Sequence, residues 1–110
     1  MDLLLSVVTE SSPEAVRVAA RGQVDLESVS YLTEALLAAE ATHAAAIVLD
    51  LSGVTLIDST GFRHVLEAEA RSRKNGKRLS IAPSPAVEQL IDLCGTREQL
   101  TLASADVPPR

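Results

Sequence analysis

The segment Ile57-Asp58-Ser59-Thr60-Gly61 places a carboxylate, two hydroxyls and a glycine in one short run. Asp and Ser both accept hydrogen bonds from the orphan amides of a helix start, and a glycine lets another backbone come close. A hydroxyl held there is surrounded by unpaired amides and by the positive end of a helix dipole. Phosphate on Ser59 would be tolerated by such a chain. It would also add roughly −1.5 to −2 charge to a surface that a partner must desolvate, which is a covalent off-switch for binding without refolding. The same residues make an ordinary capping loop, and local chemistry alone leaves both readings open.

Catalysis by this segment has less support. A serine nucleophile needs a base and an orienting acid. Asp-Ser-Thr-Gly lacks the Gly-x-Ser-x-Gly elbow, and the histidines are His43 and His64. His64 follows Ser59 along the next helix, which does not put it plainly in reach of the hydroxyl. No Gly-x-x-x-x-Gly-Lys phosphate loop occurs. Asp50 is expected to end a strand, but no acidic pair follows the first strand to make a phospho-aspartate receiver. His64 has no second His or Cys at ligand spacing, so no metal is expected. The single cysteine, Cys94, excludes an internal disulfide and reads as a small core hydrophobe. The chain is not expected to be an enzyme or to carry a cofactor.

The elements that must position this segment follow from patterning. A chain of 110 residues, 46% hydrophobic with one Phe, one Tyr and no Trp, makes one domain with an aliphatic core. We assign residues 1–104 to that domain and 105–110 to a flexible tail. Runs such as Ala44–Leu49 are too short to span a bilayer, and Met1–Leu5 lacks the basic flank of a signal peptide, so a cytoplasmic protein without membrane contact is expected. A net charge of −5 makes nucleic acid a poor partner. The basic cluster Arg71, Arg73, Lys74, Lys77 and Arg78 straddles a helix end, where cations complement the dipole. It reads as a solvated helix end, with anion contact as the alternative.

Leu3–Val8 and Val16–Ala20 read as two strands joined by a polar turn. Asp25 opens a helical stretch with Val29, Leu32 and Leu36 on one face, capped by Asp25 or Ser28. Ile47–Leu51, bounded by Ser52-Gly53, suits a central strand covered on both faces. A helix is expected from Thr60 to Asn75, with Phe62, Val65, Leu66 and Ala70 inward and Asn75-Gly76 as its stop. Leu79–Ala82 is a strand. Ser84, Pro85 and Gly95 punctuate a last helix whose apolar stripe is Val87, Leu90, Ile91 and Cys94. Leu100 and Leu102 form a final short strand. The alternation predicts an α/β fold, a mixed β-sheet of four to five strands flanked by about four helices.

Taken together, Gly22-Gln23-Val24-Asp25, Ile47-Val48-Leu49-Asp50-Leu51-Ser52, Ile57-Asp58-Ser59-Thr60-Gly61 and Gly76-Lys77-Arg78-Leu79 resemble the STAS domain family, and within it the anti-sigma-factor antagonists. The resemblance runs from about Val16 to Leu102, in order and spacing. It implies a bacterial phosphoprotein in which Ser59 accepts phosphate from an anti-sigma factor that is also a serine kinase, a GHKL-type ATPase. The unphosphorylated form binds that partner and frees the sigma factor, and a phosphatase restores it. The resemblance makes Asp25, Asp58, Ser59, Thr60 and Gly61 the switch loop. Two departures stand out. Gln23 replaces an acidic residue, and Phe62-Arg63-His64 replaces a common Leu-Gly. Arg63 and His64 would enlarge the partner surface beside Ser59, or else be solvated helix residues. The alternative function is a STAS-like module without a switch, a constitutive subunit of a stress-signalling or lipid-transport complex.

Overall fold

The computed structural model describes residues 4–103. The tail expected at 105–110, and Leu3 of the first expected strand, lie outside them. The elements run β1 Leu5–Ser11, β2 Ala15–Val24, α1 Val29–Glu40, β3 Ala46–Ile57, α2 Ser59–Lys74, β4 Arg78–Ala82, α3 Pro85–Leu93, a 3₁₀ turn Arg97–Gln99 and β5 Thr101–Leu102. Among the described residues the fold is a mixed α/β sheet of five strands with three α-helices and one short 3₁₀ turn, in keeping with the four to five strands and about four helices expected.

The sheet order is β1-β2-β3-β4-β5, with β1 antiparallel to β2 and the remaining pairs parallel. Each parallel step moves in the same direction across the sheet. Right-handed crossovers therefore put every helix on the same face. A single core records this. Val16, Val18 and Ala20 of β2, Ile47, Leu49 and Leu51 of β3, and Leu79 and Ile81 of β4 meet Leu32, Leu36, Phe62, Val65, Val87 and Ile91 from the helices. Each large aliphatic side chain buried here is worth about 1.5–3 kcal/mol, which makes this layer the main source of stability.

The expectation that β3 is covered on both faces is corrected. Among the described residues no helix packs on the second face, where Arg17, Val48 and Asp50 lie. Asp50 does not end the strand either; it sits within β3, only 6% exposed and ion-paired to Arg17 of the neighbouring strand. Its burial pushes the carboxyl pKa up. The Ser52 hydroxyl at 2.6 Å, the Ser52 amide at 2.9 Å and the Arg17 guanidinium outweigh this and hold it below its ordinary 3.8.

The strand continues past Ser52-Gly53 because β2 continues beside it. Two register shifts, at Ala19/Arg21 and Gly22/Gln23, let β2 pair onward until Val24 faces Ile57. Gly22 makes this possible. Its φ is +107°, and a Cβ there would lie 2.0 Å from the Leu4 carbonyl oxygen. The Leu4 carbonyl instead accepts the Gln23 amide at 2.7 Å.

Local signals set the helix ends. α2 stops at a glycine with φ +75°, Gly76, and the Lys77 amide returns to the Ser72 carbonyl at 2.8 Å. α3 starts at Ser84, whose Oγ accepts the Val87 amide at 3.2 Å, with Pro85 in the first turn. Two inward assignments fail. Ala70 faces solvent and Ala68 takes the core position, since Ala70 lies about 140° around the helix from Val65. Cys94 is exposed, because α3 has ended at Leu93 and the chain turns away before the apolar stripe repeats.

The basic cluster also departs from a solvated helix end. Arg71 grips Glu40 of α1, and Lys77 Nζ donates to the Thr42 carbonyl at 2.7 Å and to that of Ala44. Arg71 thus fastens α2 to the end of α1, and Lys77 fastens the turn before β4 to the segment between α1 and β3.

Candidate functional site

The extended pairing of β2 with β3 decides the site. Val24 faces Ile57 at the last rung, so the chain leaves both strands at one end of the sheet. The turn after β2, Asp25–Ser28, and the start of α2 after β3, Asp58–Gly61, are neighbours there. Three contacts stitch them together. The Asp58 amide donates to the Val24 carbonyl at 3.1 Å. The Leu26 amide donates to Asp58 Oδ2 at 3.3 Å. Gly61 lies against Val24, where a Cβ would come 2.7 Å from Cγ1 and 2.8 Å from the carbonyl oxygen. Only glycine fits there without moving β2.

Asp58 is the N-cap of α2. Its backbone is extended, and Oδ1 accepts the Gly61 amide at 2.8 Å. Ser59 is therefore the first helical residue, and its side chain is exposed. Thr60 beside it is half-buried. The helix starts one residue earlier than expected, which puts Ser59 at the first position of α2, at the positive end of the helix dipole.

Asp25 holds its own turn. Oδ1 accepts the Glu27 amide at 3.1 Å, the Ser28 amide at 3.0 Å and the Ser28 hydroxyl at 3.0 Å. That single hydroxyl proton is shared with the nearer Gln23 carbonyl oxygen, at 2.8 Å. α1 begins at Val29 with Ser28 at the cap position but without a side-chain cap bond. Both candidate caps are spent on the turn.

The structure thus brings Asp25, Asp58, Ser59, Thr60 and Gly61 into one place. Arg63 is exposed one turn along α2. His64 is directed toward α1, with Nδ1 3.2 Å from the Thr33 hydroxyl and 4.0 Å from a Glu67 carboxylate oxygen. Sequence reading missed two apolar residues that flank the site. Leu26, 73% exposed, sits on the Asp25 turn, and Leu56, 47% exposed, precedes Ile57. The signal was available: neither falls on an apolar stripe that the core needs. Among the described residues no group of three or more His, Cys, Asp or Glu could hold a metal ion, and no helix is long and apolar enough to cross a membrane.

Residues 7–102 match the family model described as "Mlab, STAS domain". The chain belongs to the STAS domain family. Solved STAS-like structures superpose on it closely. An anti-sigma factor antagonist from Mycobacterium paratuberculosis is 22% identical with a TM-score of 0.76, over 89% of this chain and 84% of that one. The anti-sigma factor antagonist SpoIIAA in its unphosphorylated form is 19% identical with a TM-score of 0.75, over 92% and 90% of the two chains. The phosphorylated form of the Bacillus cell-fate determinant SpoIIAA gives 18% and 0.71, over 92% and 94%. At such identities the likeness establishes the STAS fold. No curated protein sequence matches significantly.

Proposed function

We propose that this STAS domain is an anti-sigma factor antagonist switched by phosphorylation of Ser59. One observation carries the reading. Ser59 is exposed at the first position of α2, beside the Asp58 cap and at the helix end whose dipole favours an anion. The unphosphorylated protein binds an anti-sigma factor that is also a serine kinase, and the sigma factor is released. The kinase transfers the γ-phosphoryl group of ATP to Ser59 Oγ; the hydroxyl proton passes to a kinase base and ADP leaves. This chain supplies no catalytic group, only an accessible hydroxyl at a rigid corner. The new charge then opposes desolvation of the contact, and a loss of a few kcal/mol there lowers occupancy many-fold. A phosphatase resets the cycle.

Support comes from the family and from the STAS fold shared with proteins named as antagonists, one of them known in phosphorylated form. A second reading rests on the matched model being the one described for Mlab. In it the domain is a constitutive subunit of a stress-signalling or lipid-transport complex, bound through the same surface without a switch.

Capture from a lysate of the native host with wild type, Ser59→Ala and Ser59→Asp separates the two. An ATP-binding kinase retained by wild type and Ala but depleted on Asp, with phosphate on Ser59 of the wild type, is the expected result. One partner set held equally by all three baits would replace the switch with the constitutive module.

A further inference from the structure

We propose that Asp58 is a positioning residue that relays phosphorylation of Ser59 to the Asp25–Ser28 turn and its exposed Leu26. The proposal rests on reading Ser59 as the switch and assigns how the switch is read. The two oxygens of one carboxylate serve two segments. Oδ1 caps α2 through the Gly61 amide at 2.8 Å, and Oδ2 accepts the Leu26 amide at 3.3 Å, from a residue 32 positions earlier. The phosphorylated hydroxyl would belong to the very next residue.

A phosphate on Ser59 brings three strong acceptor oxygens and roughly −1.5 to −2 charge next to that carboxylate. It competes for the same first-turn amides, so α2 keeps a capping anion even as Asp58 is displaced. Like charge drives the carboxylate away from the phosphate. The Leu26 amide has no such substitute and loses its acceptor. The turn keeps its own shape, because the bonds of Asp25 Oδ1 to Glu27 and Ser28 are internal to it, and the Ser28 hydroxyl keeps its far end tied to the Gln23 carbonyl of β2. Its Leu26 end is therefore freed from Asp58, and Leu26 shifts relative to the start of α2 while the Ser28 end stays on β2. Phosphorylation acts on the binding surface twice, through charge at Ser59 and through the position of an apolar side chain on another loop.

The test uses the full chain, ¹⁵N-labelled, with phosphoserine incorporated at position 59 during synthesis. Amide shifts and hydrogen exchange are compared with those of the unmodified protein. The Leu26 and Glu27 resonances should move, and Leu26 exchange should rise about two- to tenfold, the factor that one hydrogen bond of ordinary net strength represents. Asp58→Asn keeps a good N-cap acceptor but turns an amide group toward Leu26. In that variant Leu26 exchange should already be raised, and phosphoserine should add nothing further. Changes confined to residues 58–62, with Leu26 exchange unaltered in the wild type, would overturn the relay, and that comparison needs no Asp58 variant. No kinase enters the experiment. A responsive Leu26 in a protein that its host never phosphorylates would leave the relay standing and refute the functional reading alone.

Discussion

Glu40, at the end of α1, receives two parallel hydrogen bonds from Arg71 of α2, at 2.8 and 3.0 Å. The carboxylate is buried to 8% exposure, and the two helices have this one planar clamp where their ends converge. Arg71→Ala leaves Glu40 buried without its cation and should cost about 1–3 kcal/mol, seen as a lower urea midpoint. Arg73→Ala, two residues along α2 and with its side chain 69% exposed, removes only a longer contact to Glu69 at 3.6 Å and should cost less than about 0.5 kcal/mol. Equal losses would show that the clamp contributes nothing beyond a surface pair.

Three glycines should rank by what surrounds them. Gly22→Ala meets both a left-handed φ of +107° and a carbonyl oxygen at 2.0 Å, and should cost more than about 3 kcal/mol. Gly61→Ala meets the Val24 carbonyl at 2.8 Å with an ordinary backbone and should cost about 1–3 kcal/mol. Gly76→Ala has open space around it and only the φ of +75° to oppose it, about 1 kcal/mol. Thermal midpoints of the three variants check the order.

Asp50 gives an acid limb to stability. A carboxyl whose folded pKa lies below its unfolded value stabilises the protein above that unfolded value, and the contribution is lost as pH falls through the folded one. Wild type should therefore lose stability on acidification below about pH 4, where the unfolded carboxyl begins to bind protons. Asp50→Asn should be about 1–3 kcal/mol less stable at neutral pH, with a flatter profile below pH 4. Urea midpoints at several pH values would show it, and parallel profiles would remove Asp50 as the source.

Capping and switching separate at neighbouring residues. Asp58→Ala deletes the acceptor for Gly61 and should cost about 1 kcal/mol, roughly 4–8 °C in Tm for a domain of this size. Ser59→Ala removes an exposed hydroxyl with no such bond and should leave Tm within about 2 °C. A large loss from Ser59→Ala would mean that the serine itself is structural.

What could be read from sequence was what local chemistry decides. Ser84, Pro85 and Gly95 delimit α3, and Asn75-Gly76 ends α2, because caps and left-handed stops involve only a few consecutive residues. The segment Asp58–Gly61 was visible for the same reason: Asp58 caps the helix that follows it. The length of β3 was not visible, because Ser52-Gly53 looks like a terminus until β2, shifted twice in register, is found continuing beside it. That long-range pairing also hid Leu26 as a neighbour of Asp58. Cys94 and Ala70 were misplaced by small errors in helix phase and end, and Asp50 by the early strand stop.

The corner where β2 and β3 end is held mainly by main-chain groups: the Asp58 amide on the Val24 carbonyl, the Leu26 amide on one carboxylate, and a glycine pressed against backbone. Such a joint asks almost nothing of the side chains displayed on it. Leu26, Leu56 and Arg63 can be exchanged for other residues while the joint stays in register. A lineage can thus re-address the domain to a new partner by repainting three or four surface positions. The frame and the residues shown on it can therefore change independently.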